Sequence, residues 1–369
     1  GPRIAAQLKK HGKRVNQSKA LVEVLYAMGS RDAIQVLVAT ATRFRQKTVR
    51  ALAETLVREL AEARGWTEDE LADRSIPSGG FEEDGTLPLP VGEEEKPYVA
   101  RLDSALSVRL FNPAGKEVKS IPAGKDENTK ESKALLSAAK KSVKAAVEQQ
   151  TSRLYEAMLT PRTWDKEAWL DDFAAHPIMR RLIERLIWRG LDPDGAARLT
   201  FRMTAEGDVM NADGDDADLA DVALVDMAHT ANVDEATRDA WLQHLKDFEV
   251  APLFPQVSRP VHALTDDLLN STKLEDRQRR LMSNFKLRSA AKKCGYDRGM
   301  IGDGGGYDSY RKAFRGAGLH ADLHFTGSYM GADDFDTAID CMQFTRIDQG
   351  NSYHPQPDAL QLVPPLHLS

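Results

Sequence analysis

Apolar residues recur at three- and four-residue spacing through the first 65 positions. Ser18–Met28, Arg31–Phe44 and Lys47–Gly65 each carry such a stripe, and in the third Val49, Leu52, Ala53, Leu56 and Leu60 fall on one helical face. Gly29-Ser30 separates the first two segments, and Gly65 suits the left-handed residue that ends a helix. Short antiparallel helices with small connectors are the building unit of HEAT-type arrays.

At Trp66 the period changes from helical to alternating. Between "GGFEEDGTLPLP" and "KEVKSIP", Asp-Gly and Ala-Gly turn signals separate short strands, with Ala100, Leu102, Val108, Leu110 and Val118 on the apolar face. A long helix is predicted over Lys130–Leu159, stopped by Pro161, and a short one after Thr163 as N-cap. "RLIWRGL", "ARLTFRMT", "GDVMNADG" and "VALVDMA" then read as a second meander.

A helix capped by Asp234 follows, with Trp241, Leu245 and Phe248 facing inward; three prolines keep the next stretch, Glu249–Leu264, extended. A last helix is predicted over Leu274–Cys294, and strands around Tyr296, over Tyr307–Phe314, in "GLHADLHFTG" and in "DTAIDCMQFTRI" close the chain.

The expected class is α+β. A HEAT-like helical segment (3–65) precedes a mixed domain of antiparallel meanders and packed helices (66–347) and a Pro/His/Gln-rich, poorly ordered tail (348–369). Within the domain the divisions are a first meander (66–125), a helical part (126–184), a second meander (185–230), helices with a proline-rich connector (231–294) and terminal strands (295–347).

Several stretches carry a family resemblance: "RGWTEDELADRSIPSGGF", "TSRLYEAM", "AAHPIMRRL", "WLQHLKDFEVAPLFPQVSRPV", "FKLRSAAKKCGYDRG" and "GLHADLHFTG". In this order, from Gly65 to Ile347, the chain resembles the bacterial family labelled domain of unknown function 4132, also described as MolR-like. The resemblance implies HEAT-like helices ahead of the domain and a regulatory role. It brings no catalytic residues and no cofactor.

Composition changes the picture in one respect. A net charge of −6 conceals strong segregation: 13 Lys/Arg against 5 acids over 1–64, 11 acids against one Arg over 206–239, and 12 bases against 5 acids over 273–315. Such blocks steer a partner of opposite sign or join parts of one molecule. With 41% hydrophobic residues and no apolar run of membrane-spanning length, a membrane partner is not expected. Two cysteines without CxxC spacing point to a reducing compartment, the cytoplasm.

The densest cluster of candidate chemistry is "KKCGYDRGMIGDGGGYDSYRKAF", Lys292–Phe314. Its glycines fit neither the GxxxxGK[ST] phosphate loop nor GxGxxG, and a strand rather than a helix follows them. A tight turn is one reading. The other is a ligand or anion site built on Gly304 with Lys292, Lys293, Arg298, Arg311 and Lys312, where Tyr307 and Tyr310 stack on a base.

On one strand face His320, Asp322 and His324 have metal-ligand chemistry, although an ordinary polar strand face explains them equally. His176 and His244 read as capping or core residues. The Asp213–Asp215 loop lacks the Gly and Glu positions of a calcium loop.

The basic segment with Arg277, Arg280, Lys286, Arg288, Lys292, Lys293 and Arg298 is a solvated helix face, a match for the acidic 206–239 region, or a surface for nucleic acid or another anionic partner. The functional expectation is a binding or regulatory module on that segment. The alternatives are an enzyme acting on a nucleotide-like or phosphate-containing substrate, and a scaffold binding proteins through its HEAT-like helices.

Overall fold

Two glycines set the ends of the first helices. Gly29 (φ 55°) closes α1 (Val15–Met28) and Gly65 (φ 64°) closes α3 (Lys47–Arg64), both in the left-handed region that a side chain disfavours. Between them α2 (Arg31–Arg43) completes a three-helix cluster around Val22, Leu25, Leu37, Val49 and Ala53. The Arg64 guanidinium donates to the Gly29 carbonyl at 2.9 Å, tying the two helix ends. This computed structural model describes residues 4, 7, 8, 14–44, 46–93, 96–160, 162–259, 265, 266, 268, 270–275, 278–302, 304–314, 317–347, 357 and 360. The predicted tail lies outside them, apart from Pro357 and Leu360.

The protein is α+β, built of helices and three antiparallel sheets in two compact units. The first unit comprises Gly1–Thr151, Asp165–Arg185 and Met203–Asp208. After the three-helix cluster, α4 (Glu68–Arg74) opens on a capping box: Thr67 Oγ1 accepts from the Glu70 amide, and Glu70 Oε2 accepts from the Thr67 amide at 2.7 Å.

Strands β1 (Thr86–Leu89), β2 (Tyr98–Leu102), β3 (Val108–Phe111) and β4 (Glu117–Val118) pair in chain order as a meander. Their buried residues Leu87, Leu89, Ala100, Leu102 and Leu110 pack with Leu136, Ala139 and Val143 of α5 (Glu127–Leu159) and with Ile178. Ile178 belongs to α7 (Pro177–Ile183), whose cap is a histidine. His176 Nδ1 accepts from the amides of Ile178 and Met179, and Nε2 lies 3.0 Å from the Ile76 carbonyl, so the proton sits on Nε2.

Thr163 does not cap the short helix that follows it. Trp164–Asp165 is a short strand, β5, and α6 (Lys166–Trp169) starts after Asp165 without a side-chain cap, then widens into a π-turn over Leu170–Ala174.

The second unit comprises Ser152–Trp164, Leu186–Arg202 and Val209–Ser369. Its first sheet adds β6 (Trp188–Leu191), β7 (Ala197–Met203), β8 (Val209–Met210) and β9 (Leu224–Met227) in the order β5-β9-β6-β7-β8. It is therefore not a simple meander: β9 returns past β8 to pair with β6, opposing Trp188 to Met227. β6 and β9 are buried along most of their length, the Arg189–Asp226 ion pair included, and lie side by side inside the sheet.

Helix α8 (Glu235–Asp247) begins on Asp234, whose Oδ1 accepts from the Thr237 amide at 2.7 Å. Trp241 is buried and donates Nε1–H to Thr200 Oγ1. Phe248, expected to face inward, is exposed and instead stacks on His244 at the helix end.

The predicted helix from Leu274 starts ten residues late. Residues 279 and 280 exchange backbone hydrogen bonds with Ile339, and Leu281–Ser283 forms β10 against β14 (Asp336–Arg346). Those amides and carbonyls are committed to a ladder, so α9 (Asn284–Lys293) begins only where Ser283 can cap it through the Lys286 amide. The last sheet runs β10-β14-β13-β12-β11, with β11 (Asp297–Arg298), β12 (Gly306–Phe314) and β13 (Leu319–Tyr329).

Candidate functional site: the basic face of α9 and the glycine turn

Helix α9 buries Asn284, Leu287 and Ala291 at helical spacing and leaves Phe285, Lys286, Arg288, Lys292 and Lys293 exposed. Arg279 and Arg280, immediately before β10, are exposed as well, and Arg279 adopts φ 62°. Among the described residues no ion pair ties Lys286, Arg288, Lys292 or Lys293 to a carboxylate. The Arg288 guanidinium lies 4.8 Å from the centre of the Phe285 ring. Arg277 lies outside the described residues.

The glycine-rich stretch is a tight turn that spends the amides of Gly302 and Gly305 on itself. Gly305 N donates to the Gly302 carbonyl at 2.8 Å and Gly302 N to the Gly306 carbonyl at 2.9 Å. Gly305 has φ 77°, and Met330 N donates to its carbonyl. Gly304 is exposed within the turn. A phosphate cradle needs several free amides aimed at one point, and the amides of Gly302 and Gly305 do not contribute.

Tyr307 and Tyr310 are 7% and 3% exposed, so neither offers a face for a base to stack on. Their phenol oxygens lie 3.2 Å apart and their rings pack on Phe325 within the core of this sheet. Arg298 covers the Tyr307 ring from the exposed side at 5.3 Å. Burial raises the Tyr310 phenol, and its bond to Tyr307 adds to the rise. Burial acts upward on Tyr307 too, but hydrogen bonds from Tyr310, Arg298 and Ser328 outweigh it and lower that phenol.

Arg311, Lys312 and Asp322 are taken by partners. Arg311 stands opposite Asp322 in the β12–β13 register and holds it through Nε at 2.6 Å and Nη2 at 3.1 Å. Asp322 is therefore turned to a guanidinium rather than to His320 and His324. A register irregularity between Leu323 and Phe325 also breaks strict alternation at His324. The described residues contain no group of three or more His, Cys, Asp or Glu set for a metal ion.

Lys312 donates Nζ to the Cys294 carbonyl at 3.1 Å, capping the end of α9, and lies over the Phe314 and Tyr155 rings. Burial lowers its pKa against the opposing influence of Glu156. Of the predicted site residues, Lys292, Lys293 and Arg298 face solvent, Gly304 lies in the exposed turn, and Arg311 and Lys312 serve other groups.

His244 is structural. His244 Nδ1 lies 3.0 Å from the Ala212 carbonyl, while Nε2 accepts from Arg202 Nε at 3.1 Å. That arrangement holds the ring neutral, and burial lowers its pKa. The acidic loop closes on itself, because Asn211 Oδ1 accepts from the amides of Asp213 and Asp215. In the first unit a shallow cleft of about 470 Å³ lies among Val108, Arg109, Glu117, Lys119 and Lys140. Arg109 is already engaged there by Asp103 and Glu117.

Sequence reasoning missed the exposure of Tyr329 and Phe335, which flank the β13–β14 turn. The signal was available: an aromatic at each end of the polar turn "MGADD" is more than a hairpin needs.

Residues 115–296, from just before β4 to just past α9, match the model of a family described as Domain of unknown function (DUF4132). A protein of Escherichia coli (strain K12) named "Uncharacterized protein YehI" is 30% identical over 260 residues, covering 69% of this chain and 21% of that protein. The chain thus spans about a fifth of that relative's length. No solved structure matches the chain.

Proposed function

We propose that this chain is a binding module of regulatory type, and that the exposed bases of α9 and its approach hold a nucleic acid or similar polyanion. One observation carries the reading. Lys286, Arg288, Lys292 and Lys293 remain exposed on a helix anchored by its opposite face, without carboxylate partners among the described residues. Cations held that way release counterions when a phosphate chain binds, so binding is independent of sequence and falls steeply with salt. Among the described residues no ion pair joins the acidic 206–239 stretch to them, and Asn211 accepts from the amides of Asp213 and Asp215 within that stretch.

In the same reading α1–α3 are HEAT-like helices that offer a protein-binding surface, consistent with the exposed Val24 and Met28 on α1. The enzymatic reading draws less support, because Arg311, which with Arg298 and the glycine loop would hold its phosphate, already serves Asp322.

Filter binding of labelled duplex DNA and RNA at several salt concentrations tests the proposal. Retention that rises as salt falls, and weakens on charge reversal at Lys292 and Lys293, is expected. No retention at the lowest salt would remove it.

A further inference from the structure

Three exposed aromatic residues are carried by chain segments at one end of the last sheet. Phe285 (40% exposed) is the second residue of α9, Tyr329 (55%) ends β13, and Phe335 (40%) precedes β14. The register puts them together: Ser283 opposes Asp336, and Tyr329 opposes Gly306 at the start of β12. Met300, Ile301 and Met330 are also exposed, and Met330 is bonded to Gly305 at the same sheet end.

Soluble surfaces scatter such side chains singly, whereas a contiguous group marks a binding surface. The group is held rigidly. Asn284, 5% exposed, receives the Phe335 amide on Oδ1, donates Nδ2 to the Asp333 carbonyl, and donates its backbone amide to the Phe335 carbonyl. Asp334 accepts from Ser283 Oγ and from the Phe285 amide. The backbone that carries Phe285 and Phe335 is thus positioned before any partner arrives.

Resting on the proposed polyanion binding, we infer that this sheet end is a stacking platform for single-stranded nucleic acid, the exposed bases of α9 following its phosphates. Rings that project beside a row of cations are how sequence-tolerant single-strand sites work: every base has a π-face, and duplex bases are already stacked. Arg288 above Phe285 places a cation at the edge of the platform. Exposed Asp333, Asp334 and Asp336 border the same end, and their repulsion of phosphate leaves the strand's backbone to the cations of α9.

The test is fluorescence anisotropy with a labelled oligothymidine and a duplex of equal length, across a salt series. Single-strand binding tighter than duplex binding is expected. Tyr329→Leu and Phe335→Leu keep apolar bulk at exposed positions and remove the π-face, so each lowers the single-strand to duplex affinity ratio about five-fold or more. Circular dichroism and thermal melting of both variants establish that they fold.

Equal affinity for both forms, or an unchanged ratio in the leucine variants, overturns the platform and leaves the polyanion reading standing. No binding of either form removes both. Binding to phosphatidylserine vesicles that tolerates the leucine variants, with no single-strand preference, overturns it in favour of a lipid surface. A dimer in sedimentation that Tyr329→Asp dissolves, again with no single-strand preference, overturns it in favour of self-association.

Discussion

Arg311 and Asp322 face each other across the β12–β13 pair and share two hydrogen bonds, of 2.6 and 3.1 Å. Each looks like a ligand-binding residue in the sequence, one for anions and one for metals. Joined, they neutralise each other. The Asp322 side chain is 5% exposed, so removing the cation strands a buried carboxylate.

Arg311→Ala is therefore expected to destabilise the protein by about 2–4 kcal/mol, towards the lower end because the guanidinium is partly solvated. Replacing both residues, Arg311→Met with Asp322→Leu, should recover part of the loss. Urea unfolding of the three proteins measures this, and unmoved midpoints would show that the pair contributes nothing.

His229 makes stability depend on pH. Burial, reinforced by the Arg189 guanidinium, lowers its pKa from 6.5 to about 4. The unfolded chain takes up this proton first as pH falls, so the contribution is complete above about 6.5 and declines between there and about 4. The loss is on the order of 3 kcal/mol over that window. His244, lowered mainly by burial, acts with the same sign. His229→Gln should flatten the stability profile between pH 4 and 6.5, and a parallel profile would assign the dependence elsewhere.

The two cysteines differ in reach. Cys294 is exposed at the end of α9, whereas Cys341 is buried on β14 with its thiol pushed up to about 11 by burial. A maleimide at neutral pH should modify one thiol rapidly in the native protein and both in urea. Rapid loss of both thiols without denaturant would contradict the packing of β14.

The exposed lysines should set the salt dependence. Lys292→Ala and Lys293→Ala are each expected to reduce the slope of log affinity against log salt by about one. Because both side chains are exposed, melting temperatures should stay within about a degree or two, corresponding to less than about 0.5 kcal/mol. A slope indifferent to both lysines would place the polyanion contact elsewhere.

The helices were the legible part of this fold. Their apolar stripes, the closing glycines at 29 and 65 and the Asp234 cap are local signals, and the structure forms α1, α2, α3 and α8 on them. The first meander was legible in its alternating apolar positions and in the Ala114-Gly115 turn that joins β3 to β4, whereas Asp84-Gly85 precedes β1. What escaped depends on distant partners: the return of β9 to β6, and the strand β10 inside a helical pattern, are decided by residues far along the chain. The site followed the same division. The basic face of α9 was readable from helical spacing. The burial of Tyr307 and the employment of Lys312 were not, because Phe325 and the Cys294 carbonyl reach them only through folding.

Gln256 lies between prolines 255 and 260, in a connector poorly suited to a ladder, and its side chain bonds instead as a strand backbone would. It accepts from the Ile187 amide at 2.8 Å and donates to the carbonyls of Ile187 and Ala228 at 2.8 and 2.9 Å. Both targets exist as a pair only after β6 and β9 have met. The connector therefore acts as a latch that can close only on an assembled sheet, which makes it a late event in folding and a barrier to unfolding. Gln256→Ala would then leave the refolding rate nearly unchanged and shorten the lifetime of the native state.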